Sequence, residues 1–183
     1  NGGVLRLSHA PELGLSKEAV RKMYLRGDLE RVHSGVYVMP DDLPDEMVLK
    51  QSIYPKGILS HESAARLYGF TTFSPSETIF SFPQGYHFYK DVKMSVSPYF
   101  VRKEQYETGI TEVTTWEGNL VRAYNQEKTI IDLALSKYTL PLIFKEVVEG
   151  YLAVGTVNVE RLIRYSKQFN VEEKIKKEVL VYT

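Results

Sequence analysis

Between residues 8 and 39 two short helical signals, a tight Gly14-Leu15 turn and a hairpin follow one another with almost no spare chain. That spacing restricts the fold more than any other feature of the sequence. Ser16 is a good N-cap, Gly27 stands where a helix C-terminus favours positive φ, and the residues between them are amphipathic. At about 100° per residue, Ala19, Val20, Met23 and Tyr24 share one arc, and Lys17, Arg21, Lys22 and Arg26 occupy the opposite half. Leu25 falls inside the polar arc and is expected to be covered by the strand that follows. Upstream, Ser8 is expected to cap a short helix running to Leu13, with Pro11 accommodated in its first turn, where no intrahelical N–H partner is needed. Downstream, residues 28–32 and 36–39 read as strands flanking a His33-Ser34-Gly35 turn.

Helix, tight turn, basic helix and hairpin in this order define a winged helix-turn-helix. In such a domain the second helix enters the major groove of DNA. Lys17, Glu18, Arg21 and Lys22 are then the groove residues, with Ser16 at the helix start and Arg21 best suited to a bidentate contact with guanine. Arg26, Arg31 and His33 lie better for backbone phosphates, at the helix end and on the wing. The same cations would also suit the solvated face of an ordinary surface helix; what favours a DNA reader is the agreement of cap, turn, amphipathic split and wing.

Bulk composition is compatible with this reading and does not demand it. The chain has 183 residues, 23 basic and 23 acidic side chains and a formal net charge of zero, so it is no uniformly basic nucleic-acid coat. The first forty residues carry a small positive surplus, which supports local contact with phosphates. With no cysteine there are no disulfides or thiolate metal ligands, which fits a reducing compartment. No apolar run approaches the ~20 residues of a membrane span, and no signal peptide is visible. The expectation is a cytoplasmic protein with no membrane partner, no cofactor and no metal. Asn1-Gly2-Gly3 resembles the turn after a preceding helix, so a further N-terminal element is expected upstream of the sequence.

The proline-bounded stretch 40–44 is the candidate boundary between a winged domain over residues 1–40 and a second domain over 45–183. The second part reads as mixed. Helices are expected at 45–54, 61–68, 126–136, 142–152, 159–169 and 171–181, and strands at 78–82, 93–96 and 120–124 forming a small antiparallel sheet. The fold class is therefore α+β with a helical C-terminus. Arg161, Arg164 and Lys167 fall at i, i+3 and i+6, a possible auxiliary basic strip, although such a strip is more often plain surface.

Three strings carry a family resemblance: Gly27-Asp28-Leu29-Glu30-Arg31-Val32-His33-Ser34-Gly35-Val36-Tyr37, then Leu59-Ser60-His61-Glu62-Ser63-Ala64-Ala65, then Glu127-Lys128-Thr129-Ile130-Ile131-Asp132. In this order and at this spacing the chain resembles the AbiEi antitoxins. The resemblance implies the antitoxin of a bacterial type IV toxin–antitoxin system for abortive infection by phage. It also implies a repressor of its own operon acting through the winged domain, and that reading in turn leads to the expectation of an inverted repeat in double-stranded operator DNA. The implied counterpart is a nucleotidyltransferase-like toxin, neutralised without a stable complex, and the C-terminal domain carries the antitoxin role. On their own chemistry, Glu127 to Asp132 and His61-Glu62 read as ordinary helix-start residues, with Glu127 and Glu62 near positive helix ends.

An enzyme is the rival class. A restriction-type nuclease needs an acid-x-Lys triplet on a strand, and the match, Glu172-Glu173-Lys174, sits in a helical segment. No phosphate loop, HExxH or nucleophile elbow is present, so a non-enzymatic protein is expected. A winged domain used for protein contacts, with some of the 13 tyrosines as its interface, is a further alternative.

Overall fold

The computed structural model describes residues 2–182. The chain is α+β and divides into two compact units, residues 1–56 with 113–121, and residues 57–112 with 122–183.

The first unit opens with strand β1 (Val4–Arg6), a 3-10 turn (Ala10–Leu13) and helix α1 (Lys17–Arg26). Strands β2 (Glu30–His33) and β3 (Val36–Val38) and helix α2 (Glu46–Ile53) follow. Helix α1 begins and ends where its sequence signals lie. The Ser16 hydroxyl accepts from the Ala19 N–H at 3.0 Å, and Gly27, at φ 83°, closes the helix with its N–H on the Met23 and Tyr24 carbonyls. The preceding turn differs from expectation. It is a single 3-10 turn starting at Ala10, with His9 and not Ser8 at its N-cap position and no side-chain cap at all. Without a cap and with only four residues before Gly14, there is no room for i→i+4 bonding, and the tighter 3-10 form results.

The expected hairpin is present, shifted by one or two residues. Strands β1 and β2 both pair antiparallel with β3, giving the order β1-β3-β2, and the register of β2 slips between Arg31 and His33. Strand β1 has no counterpart in the sequence reading, because three residues carry too little pattern. Ala10, Val20, Leu29 and Tyr37 form the buried core of this layer, with Leu5, Leu7, Leu15 and Met23 packed against it. Leu25 is not beneath the strand as expected; it is 64% exposed. Val20 and Met23 already fill the space over Leu29 and Tyr37, and Leu25 lies on the far side of the helix. Asn1, where the expected N-terminal turn would begin, lies outside the described residues, while Gly2 and Gly3 form a turn.

This unit extends past the proline-bounded connector because Asp45 ties later chain to it. One carboxylate oxygen caps α2, accepting from Met47 and Val48 N–H at 2.9 and 3.2 Å. The other accepts from the Thr115 hydroxyl and from Asn119 Nδ2, the latter at 3.0 Å. Asp45 is buried, so Asp45→Ala removes a cap and strands two donors at once. We expect a loss of about 2–3 kcal/mol in chemical denaturation, against about 1 kcal/mol for an ordinary exposed cap.

The second unit contains β4 (Ile58–Leu59), α3 (His61–Leu67), β5 (Thr78–Pro83), β6 (Val96–Val101) and α4 (Lys103–Glu107). Strands β7 (Ile110–Thr114) and β8 (Leu120–Tyr124) come next, their connecting tip being counted with the first unit. Helices α5 (Gln126–Leu135), α6 (Pro141–Ala153), α7 (Val159–Gln168) and α8 (Glu172–Glu178) complete it. The strand order is β6-β5-β4-β8-β7.

This sheet corrects the antiparallel expectation. It is mixed: β5 runs antiparallel to β4, but β4 is parallel to β8 and β5 is parallel to β6. Parallel neighbours need a crossover of about a dozen residues, and the stretch 84–95 supplies one between β5 and β6. The strand expected at 93–96 is also corrected. Val92–Met94 is a 3-10 turn capped by Asp91, and the strand starts at Val96. Pro98 in its middle hides it from pattern reading, yet a proline is tolerated here because β6 is an edge strand.

Helix α5 is the centre of the second unit. Every residue from Glu127 to Ala134 is buried, and Ile130, Ile131, Leu133 and Ala134 join Phe70, Phe144, Val147, Val148, Tyr151 and Leu162 in one core. Helix α8 is shorter than expected and gives way to a 3-10 turn at Leu180–Tyr182. Its Glu172–Lys176 pair is made at 3.0 Å, while Glu173 faces Lys176 at 3.5 Å.

Candidate nucleic-acid interface

Helix α1 presents its cations as a group. Lys17, Arg21 and Lys22 are exposed; Arg21 and Lys22 are turned away from buried Val20, while Lys17, three residues before it, flanks that side. Arg21 stands 3.7 Å from Glu18, and both side chains are more than half exposed, so this is a loose pairing that solvent weakens. Ser16 is committed to the cap as an acceptor and retains its hydroxyl proton for donation.

The remaining candidates are more constrained. Both Arg26 Nε and its terminal nitrogen reach Asp28 Oδ2, at 2.9 and 2.7 Å, a closer pairing than that of Arg21, although solvent weakens it too. Arg31 Nε donates to the His33 carbonyl at 3.4 Å across the irregularity in β2. His33 is exposed at the hairpin turn. The structure therefore brings Lys17, Arg21 and Lys22 together on one surface, and Arg26 and Arg31 are held by their neighbours. The residue missed in this region is Leu25. Helical spacing places it in the polar arc, and it is exposed in that position.

The auxiliary strip is less uniform. Arg161 Nη1 donates to buried Glu127 at 3.1 Å, and the same carboxylate accepts from Tyr151 OH and Asn158 N–H, both at 3.3 Å. Arg161 thus serves the second unit's interior, while Arg164 and Lys167 are exposed. Arg164 lies against the Tyr165 ring.

The two downstream strings converge inside the second unit as a buried polar cluster. Lys128 Nζ lies 2.5 Å from Asp132 Oδ1 with both side chains essentially inaccessible, and sits 4.1 Å over the Tyr124 ring. Gln105 Nε2 approaches the same oxygen at 3.5 Å, and Asp132 Oδ2 has no hydrogen-bond partner among the described residues. His61 is buried, adopts φ 51° and lies against Tyr99 with ring centres 3.9 Å apart and planes inclined by 34°, its Nδ1 lying 2.9 Å from Ser60 Oγ. Ser60 in turn accepts from Ser81, and Glu62 accepts from the Thr139 hydroxyl at 2.7 Å. Sequence spacing shows Lys128 and Asp132 as an i,i+4 pair, but nothing local says that their helix is surrounded.

Burial pulls the His61 pKa below its ordinary 6.5, opposed by the Asp132 and Glu62 carboxylates and reinforced by the Lys128 ammonium. Burial also lowers that of Lys128, opposed by Asp132. A histidine kept neutral by folding is protonated first in the unfolded chain, so its contribution to stability is present above pH 6.5 and lost as pH falls below it. We expect the unfolding free energy to drop with acidification from about pH 6.5 towards 5, by up to ~1.4 kcal/mol per pH unit for one proton. His61→Asn keeps a residue tolerant of left-handed φ and should flatten that slope. An unchanged slope in urea titrations would assign the acid sensitivity elsewhere.

Among the described residues, no group of three or more His, Asp or Glu side chains is placed to hold a metal ion. No described helix is long and apolar enough to cross a membrane.

Fold and surface together define an α+β protein in which a small three-stranded layer displays a basic helix. No family model and no curated protein matches the chain. Among solved structures it is similar to the RV2827C protein from Mycobacterium tuberculosis, with a TM-score of 0.59 and 16% identity over 90% of this chain and 66% of that one. At that identity the likeness concerns the fold.

Proposed function

We propose that this protein reads double-stranded DNA through helix α1 and represses its own operon as a winged helix-turn-helix. Strands β2 and β3 form the wing. The observation that carries this reading is the capped, exposed α1, whose Lys17, Arg21 and Lys22 stand together while its opposite face is seated on the β1-β3-β2 layer. A helix held rigidly by its apolar face and cationic on the other has the geometry for the major groove.

The AbiEi resemblance extends the proposal to the antitoxin of a type IV system, counteracting a nucleotidyltransferase-like toxin. The strings behind that resemblance include the buried cluster of the second unit. The gene context tests this part directly: co-expression with a neighbouring nucleotidyltransferase-like protein should restore growth, and persistent toxicity would remove the antitoxin assignment.

DNA reading is tested by fluorescence anisotropy on a duplex from the protein's own promoter. Affinity should fall with salt at a slope of about −0.9 per phosphate neutralised. Arg21→Ala with Lys22→Ala should reduce affinity about tenfold to a hundredfold without moving the melting temperature, since both side chains are exposed. Arg26→Ala should matter less, because Asp28 already holds that guanidinium. Salt-independent binding, or a double variant that binds as wild type, would remove α1 as the recognition element.

A further inference from the structure

Leu25 is an apolar side chain set among charges. In α1 it follows Lys22 by three residues, Arg21 by four and Glu18 by seven, so the four share one stripe. It is 64% exposed, while Val20 on the opposite side is fully buried. A single exposed leucine is ordinary in itself. Here it lies in the last turn of α1, on the face that carries Arg21 and Lys22 one turn earlier, and Tyr24, its sequence neighbour, is turned to Tyr37 in an edge contact.

The DNA major groove carries one apolar group that such a side chain matches, the C5-methyl of thymine. We propose that Leu25 is a specificity-determining residue that packs on a thymine methyl in the major groove, beside the base and phosphate contacts of Arg21 and Lys22. This inference rests on the DNA-reading proposal and adds to it. Arg21 and Lys22 supply attraction and a donor pattern, whereas Leu25 has no polar atom to offer and discriminates by burying a methyl group. A leucine so placed distinguishes thymine from cytosine and also from uracil, which presents the same hydrogen-bonding edge without the methyl.

The test uses the full chain and a pool of random-sequence duplexes. Wild-type protein should select duplexes with thymine at a fixed position, and Leu25→Ala should select duplexes without that preference. In the selected duplex, replacing this thymine by deoxyuridine should weaken wild-type binding about fourfold, the value of one buried methyl-sized group. The same replacement should leave Leu25→Ala binding unchanged. Melting curves of the two proteins should coincide, since the side chain is exposed. Wild-type binding that is salt-dependent but indifferent to deoxyuridine overturns the role of Leu25 and leaves the DNA reading standing. Equal sensitivity of both proteins to deoxyuridine does the same. Absence of any salt-dependent DNA binding by the wild type overturns both, and a change of oligomeric state in Leu25→Ala together with indifference to deoxyuridine assigns the leucine to a protein contact instead.

Discussion

Lys128→Met is expected to destabilise the second unit by about 3–5 kcal/mol, the range for removing one partner of a buried ion pair. The ammonium is fully buried and 2.5 Å from Asp132 Oδ1, and the second oxygen of that carboxylate already lacks a partner among the described residues. Without Lys128 the carboxylate would keep only the long Gln105 contact at 3.5 Å, and an uncompensated charge would remain in the core. The methionine itself is not the problem. It matches the lysine stem in length and would sit comfortably against the Tyr124 and Phe169 rings that the ammonium now faces. The double variant Lys128→Met with Asp132→Leu should therefore recover much of the loss, since paired buried charges can be replaced by apolar groups at little net cost. Urea unfolding of the two single variants and the double variant forms a cycle. Additive losses would show that the pair is not coupled as its geometry requires.

Gly150→Ala is the second large effect, and its cause is steric. Gly150 lies within α6, in its last turn, where alanine would normally add up to about 1 kcal/mol of helix stability. A Cβ built there would lie 2.2 Å from the Phe70 carbonyl oxygen and 2.6 Å from its carbonyl carbon and Cα. These are backbone atoms, and Phe70 is itself locked in the core between Tyr68 and Tyr151 rings. Relief requires α6 to move away from that segment, which opens the contacts of Val147, Val148 and Tyr151. We expect a net loss of about 3 kcal/mol, at the upper end of overpacking penalties. On this helix Ala153→Gly, at an exposed position, is the control and should cost no more than about 1 kcal/mol. If Gly150→Ala were neutral or stabilising in thermal unfolding, the close approach of α6 to Phe70 would be wrong.

The candidate interface was legible in proportion to how local its signals are. Ser16, Gly14, Gly27 and Gly35 each act on their own backbone or on atoms three or four residues away, and α1 and the hairpin formed where those residues placed them. The position of Leu25 was equally legible from helical spacing, but its exposure was not, because whether a strand covers it depends on which residues win the limited space over Leu29 and Tyr37. The basic strip on α7 shows the reverse case. Its spacing aligns three cations along the helix, and Arg161 is instead turned to Glu127, a residue 34 positions earlier in the chain.

Two kinds of information therefore separate in this protein. The sequence by itself determined the caps, turns and amphipathic arc of α1, the hairpin after it and the existence of the C-terminal helices, because capping bonds, glycine φ and side-chain periodicity are settled within a few residues. Only the tertiary structure decided that the second sheet is mixed, that α5 is enclosed with Lys128 and Asp132 inside it, and that Arg161 faces a buried carboxylate. Strand direction and burial are set by partners far away in sequence, and a charged residue looks the same in the sequence whether water or a counter-charge in the core receives it.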